Sequence, residues 1–88
     1  MIHALKTWPP YFERVAQGRK TVEIRAEQDR TFTEGDRLVL EEWDPQTRQY
    51  TGRGVIVTVT DILRDKPWVP EGYAALSIRL EEAPHDPG

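Results

Sequence analysis

"RLVLEEWDPQTRQYTGRGVIVTVTDIL", Arg37 to Leu63, is the stretch on which the fold turns. In its second half Val55, Val57 and Val59 alternate with Ile56, Thr58 and Thr60, all β-branched. That period of two is the mark of a strand with two unlike faces. The first half, "RLVLEEW", repeats it, with Leu38 and Leu40 on one face and Val39 and Trp43 on the other. Between them Asp44-Pro45 starts a turn and Gly52 closes a polar loop over 44–52. Two such runs joined by such a loop predict an antiparallel hairpin.

The flanks extend the pattern. Downstream, "RDKPWVPEG" is irregular, with two prolines, and "YAALSIRL" reads as a last strand. The polar end, "EEAPHDPG", contains two more prolines. One domain is expected over 1–82 and a flexible tail over 83–88. Upstream, Ile2 to Thr7 alternates weakly, as a short strand does. In "WPPYFERVAQG" the prolines suit a first helical turn, where the missing N–H costs nothing. Phe12, Val15 and Ala16 share one face at i, i+3 and i+4, and Gly18 stands where a left-handed cap is expected. The spacing predicts a helix of about two turns. "KTVEIR" is then a strand, with Val22 and Ile24 on one face and Thr21, Glu23 and Arg25 on the other. "AEQDRTFTEGD" is a polar connection anchored by Phe32. Five short strands and one or two short helices indicate a mainly β, α+β domain: a small barrel with a helix packed on it.

Bulk properties narrow the function. A chain of 88 residues is expected to form one domain with one modest core. It has no cysteine, which excludes disulfides, thiolate metal sites and a cysteine nucleophile. The start lacks a signal-peptide core and no run reaches the ~20 apolar residues of a membrane span, so a soluble, cytoplasmic protein is expected. A net charge of −3 argues against general duplex-DNA binding, which needs a basic face. His3 and His85 have no metal-site spacing, so neither metal nor cofactor is expected. There is no glycine-rich phosphate loop, and Ser77, the only serine, has no triad context.

The charged cluster after Gly18 offers more. Glu23 and Arg25 share a strand face; the ordinary reading is a solvated ion pair, worth roughly 0–1 kcal/mol. The functional reading is a recognition pair. A carboxylate accepts from an exocyclic amine, and a guanidinium grips a phosphate or carbonyl with paired donors. Lys20 has the parity of Val22 and Ile24, which puts its stem toward the apolar side. A desolvated lysine there could act as base or nucleophile, with the Thr21 hydroxyl next to it. Trp8, Trp43, Trp68, Tyr50 and Tyr73 could stack on a base, although core packing is the usual role of aromatics in so small a chain. Trp68, in a proline-flanked loop, is the candidate among them.

"GRKTVEIR" fits the signature Gly-x-Lys-x-x-Glu-x-Arg, with Gly18, Lys20, Glu23 and Arg25 in the named places. It resembles the ASCH superfamily of PUA-like β-barrels. Together with "FTEGDRLVLEEWDP", "YTGRGVIVTVTDIL" and "EGYAALSI", nearly the whole chain resembles the DUF3850 branch. The resemblance implies a barrel of five to six strands with a cleft beside the first helix, lined by the signature residues. It implies RNA or a nucleoside or nucleotide as partner, with Gly18, Lys20, Glu23, Arg25 and Trp68 as ligand-binding residues. Some relatives resemble N4-acetylcytidine amidohydrolases, which use a lysine, a threonine and a glutamate; Lys20 matches the lysine, and Glu23 stands where those enzymes carry the threonine. If the chain is an enzyme of that kind, or an RNA-processing hydrolase, Lys20, Thr21 and Glu23 are its catalytic candidates. A protein-interaction module or antitoxin-like accessory factor is a third reading.

Overall fold

The computed structural model describes residues 1–85. Six elements follow one another: β1 (Ile2–Thr7), α1 (Pro9–Ala16), β2 (Val22–Ala26), β3 (Arg37–Asp44), β4 (Gln49–Leu63) and β5 (Tyr73–His85). The strands form one sheet in the order β1-β3-β4-β5-β2, curled into a half-barrel. β1 pairs with β3 in parallel; the other pairings are antiparallel.

The predicted hairpin is β3–β4, but its loop is shorter than expected. Pairing continues to Trp43 opposite Tyr50 and Asp44 opposite Gln49, leaving a tight turn that Arg48 completes at φ 58°. Gly52, expected to end the loop, lies inside β4. β4 is long enough to serve both neighbours, and three register shifts against β5 mark bulges along it. Bulges bend a strand and sharpen its twist, as a sheet that curls toward closure needs. β5 also runs further than expected, past Leu80 to His85. Of the tail expected over 83–88, residues 86–88 lie outside the described residues.

The inward face of the sheet is mostly apolar. Leu38 and Leu40 of β3, Val55, Val57 and Val59 of β4, and Ala74, Leu76 and Ile78 of β5 are all buried. Phe12 and Val15 dock α1 onto them, with Ala16 partly covered, as the i, i+3, i+4 spacing requires. The helix begins with prolines in its first turn and ends in a Schellman motif. There Gly18, at φ 76°, donates its N–H to the Val15 carbonyl, and the Arg19 N–H reaches that of Arg14.

Two polar clamps hold the 27–36 connection. Phe32 is its anchor, buried and edge-on to the His3 ring at 4.8 Å. On one side Glu27 accepts two bonds from Arg64, at 2.7 and 2.9 Å, and one from the Phe32 N–H. Arg64's bonds, together with that N–H, outweigh burial and hold the Glu27 carboxyl below its ordinary range. On the other side Asp36 is buried, accepting from the Met1 ammonium and the Thr33 N–H, with His3 Nε2 at 2.9 Å. Burial pushes the Asp36 carboxyl up, but His3, the ammonium and the N–H more than offset it and bring it to about 2.

That shift has a sign. A carboxyl held below its unfolded value contributes stability that is complete above that value and lost as pH falls through the folded one. Asp36, ordinarily at 3.8, is expected to contribute about 2 kcal/mol at neutral pH, lost between about pH 4 and pH 2. Urea unfolding across that range is expected to show a falling midpoint in the native chain. In Asp36→Asn the midpoint starts lower and falls less; an unchanged slope would remove Asp36 from the account.

Candidate functional site

The two ends of the sheet, β1 and β2, each have one paired edge and one free edge. Unpaired strand edges expose backbone groups that need partners. In this curled sheet the free edges approach each other, and Arg25 of β2 crosses the gap. Its Nη1 donates to the Lys6 carbonyl at 3.1 Å, and its Nη2 to Thr7 Oγ1 at 3.2 Å, both on β1. The gap is therefore a seam bridged by a side chain. A cleft of about 520 Å³ opens along it, within the range of small-ligand sites.

The cleft has an apolar rim and a charged floor. Trp8 and Tyr11, from the start of α1, and Val22 and Ile24, from β2, line it and are exposed. Below them Glu23 is only 4% exposed, with Lys20 and Arg25 on either side. Lys20 Nζ donates to Glu23 Oε1 at 2.5 Å and to the Val22 carbonyl. Arg25 Nε donates to Glu23 Oε2 at 2.9 Å. A buried carboxylate is costly unless paired and hydrogen-bonded, and here each oxygen has its own cation. The cations themselves are each about a fifth exposed, so a ligand can reach them.

This arrangement corrects the reading of β2. Glu23 and Arg25 do share a face, but that face turns inward. Glu23 lies opposite buried Leu76 of β5 and Arg25 opposite buried Ala74, and antiparallel partners share a face. Val22 and Ile24, the apolar pair, face out, Ile24 being 61% exposed. The side toward which Lys20 was expected to lean is therefore the open one, and its ammonium ends among polar partners.

The remaining candidates are placed as follows. Gly18 and Thr21 line a smaller hollow of about 260 Å³ between the end of α1 and β5, which Lys20 also borders. Thr21 does not line the cleft, so Lys20, Thr21 and Glu23 do not converge on one cavity. Trp68 is 77% exposed on the β4–β5 connection and does not line the cleft either. Core packing of the large aromatics, the ordinary expectation, fails as well. Trp8, Tyr50, Trp68 and Tyr73 are exposed, and Trp43 is half-covered beneath the Lys6 ammonium, 4.1 Å from the ring centre.

Five cleft residues were not expected there from the sequence: Val22 and Ile24, read as the apolar side of their strand, and Lys6, Thr7 and Tyr11. Tyr11 had a signal. It lies three residues after Trp8, so a helix starting at Pro9 makes the two rings neighbours at its first turn. Lys6 and Thr7 had none, because only the closing of the sheet brings β1 to β2. Behind Thr7 lies a second charged group. Buried Glu42, its register partner on β3, accepts from Thr51 Oγ1 at 2.8 Å, and Arg53 bonds Glu13 of α1 at 2.8 Å. These contacts tie the helix to the hairpin. Among the described residues no helix is long and apolar enough to cross a membrane, and no three acids or histidines are grouped to hold a metal.

Comparison with known proteins places the chain beside one family and a phage relative. The family described as "Domain of unknown function (DUF3850)" matches residues 2–78. A protein of Escherichia phage P2, described as an uncharacterized 12.9 kDa protein in the GpA 3′ region, is 37% identical over 81 residues. That alignment covers 92% of this chain and 71% of the phage protein.

Proposed function

The chain belongs to the DUF3850 family, and from that premise we propose that it is a small RNA- or nucleotide-binding module of the ASCH, PUA-like type. The observation that carries the proposal is the cleft between β1 and β2, where two exposed aromatic rings stand over two cations set by a buried carboxylate. Aromatic faces take any base by stacking, and lysine and arginine take phosphate. The signature Gly-x-Lys-x-x-Glu-x-Arg supports the placement in ASCH, since three of its four named residues line this cleft. Gly18, the fourth, shapes the turn that delivers Lys20. The volume suits one nucleoside unit better than a length of polymer.

A hydrolase reading keeps less support. Lys20 and Glu23 are in contact, but Thr21 is turned to the other hollow, so a water would have to supply the attacking oxygen.

The test is an amide NMR titration of the labelled chain with short single-stranded RNAs, nucleotides and nucleosides, N4-acetylcytidine among them. Shifts are expected at Lys6 to Tyr11 and at Lys20 to Arg25. Ligand signals that change with time in the same tube would turn the binder into an enzyme. No shift with any of them at millimolar concentration and low salt would end the proposal.

A further inference from the structure

The hydrogen bonds within the cleft restrict what it can hold. Among the described residues Glu23 is the only acid lining it, and each of its oxygens is engaged, Oε1 by Lys20 and Oε2 by Arg25. Its oxygens keep lone pairs, but at 4% exposure the carboxylate lies beneath its two cations and out of reach of the amine edge of a base. The cations are different. Lys20 has three N–H groups and uses two, on Glu23 and the Val22 carbonyl. Arg25 Nη1 has two and uses one, on the Lys6 carbonyl. At least one donor on each remains for a ligand, and both side chains are partly open to solvent. Among the described residues three of the four charged ones lining the cleft are cations, on a chain whose net charge is −3. The floor therefore presents charge and donors and asks for an anionic acceptor.

We infer that the ligand is a phosphorylated nucleoside, its phosphate on Lys20 and Arg25 and its ring against Trp8 and Tyr11, and that Glu23 positions the two cations instead of reading the base. The inference rests on the nucleotide-binding reading and sharpens it. A neutral nucleoside could use the rings but would leave the free donors without an anion. Inorganic phosphate could use the donors but would leave the rings open to water.

The four common nucleosides, their 5′-monophosphates and inorganic phosphate are titrated against the native chain, Lys20→Ala and Glu23→Gln. Each monophosphate is expected to bind about tenfold or more tighter than its nucleoside at low salt. The advantage is expected to shrink as salt rises from about 0.05 to 0.5 M, because exposed charges are screened. Lys20→Ala is expected to reduce the advantage, lowering monophosphate affinity more than nucleoside affinity. Glu23→Gln, checked for folding by its amide spectrum, is expected to narrow the phosphate advantage by a similar factor for all four bases, with no loss confined to adenine, cytosine and guanine, the bases that offer an exocyclic amine for a carboxylate to accept from. If Glu23→Gln fails to fold, the salt series and Lys20→Ala decide. Nucleosides within about twofold of their monophosphates overturn the inference while the broader reading stands. Inorganic phosphate binding as tightly as the monophosphates, or a loss in Glu23→Gln confined to those three bases, also overturns it. No binding in any series ends both.

Discussion

Phe12→Ala is expected to lower stability by about 3–5 kcal/mol, the usual cost of emptying a fully buried aromatic site. A domain of 88 residues has on the order of 4–13 kcal/mol in total, so this one ring is a large share. The melting temperature is expected to fall by on the order of 20 °C. The reason lies in where Phe12 sits. α1 has only eight residues, too short to hold itself together in water, and its helicity depends on docking. Phe12 and Val15 are its two fully buried residues, and the Arg53 guanidinium covers the Phe12 ring at 5.0 Å. Removing the ring leaves a cavity and takes an apolar surface from beneath a charged group. The effect reaches the cleft, because Trp8 and Tyr11 flank Phe12 and hold their places only while the helix is docked. Urea unfolding gives the magnitude, and ligand titration below the melting transition shows whether nucleotide affinity falls too. A loss under about 1 kcal/mol would mean that the helix is held by its polar ties to Arg53 instead.

How far the sequence could be read depends on what each pattern encodes. The helix was legible because its face, its prolines and its glycine all point to the same element. The hairpin was legible because β-branched alternation over "GVIVTVT" has no helical counterpart. β2 was only half legible. Alternation separates two faces but does not say which one turns inward. In "TVEIR" the usual rule, apolar side in, gives the wrong sign. β2 lies at the rim of the half-barrel, where the interior is a polar layer of Glu23, Arg25, Thr7 and Glu42 and the apolar side chains line an open cleft. The inversion could not be seen locally, since it depends on pairing with Ala74 and Leu76, some fifty residues away. Nor could the seam, because the approach of the first strand to the second is a property of the whole curled sheet. Trp68 shows the opposite failure. Its loop context suggested an exposed ring, which it is, but exposure alone does not bring a residue to a site.

Arg25→Ala is expected to reduce nucleotide affinity more than about tenfold while the chain still folds. The side chain has two duties. Under the proposed function it offers charge to a nucleotide, and in the fold it joins Glu23, the Lys6 carbonyl and the Thr7 hydroxyl across the seam. Loss of the second duty is expected to cost about 1–3 kcal/mol of stability, because Glu23 keeps Lys20 as a partner and is not left unpaired. Arg25→Lys separates the duties. Lysine keeps the charge, but its donors radiate from one atom and cannot reach three acceptors spread over two strands. It is therefore expected to recover part of the affinity and little of the stability. If Arg25→Lys restored both in full, the seam would not need a fork and Arg25 would be one cation among others. If Arg25→Ala bound nucleotide as well as the native chain, the phosphate would have to sit elsewhere. Stability unchanged in Arg25→Ala, with affinity lost, would leave the ligand contact intact as an explanation and remove the latch.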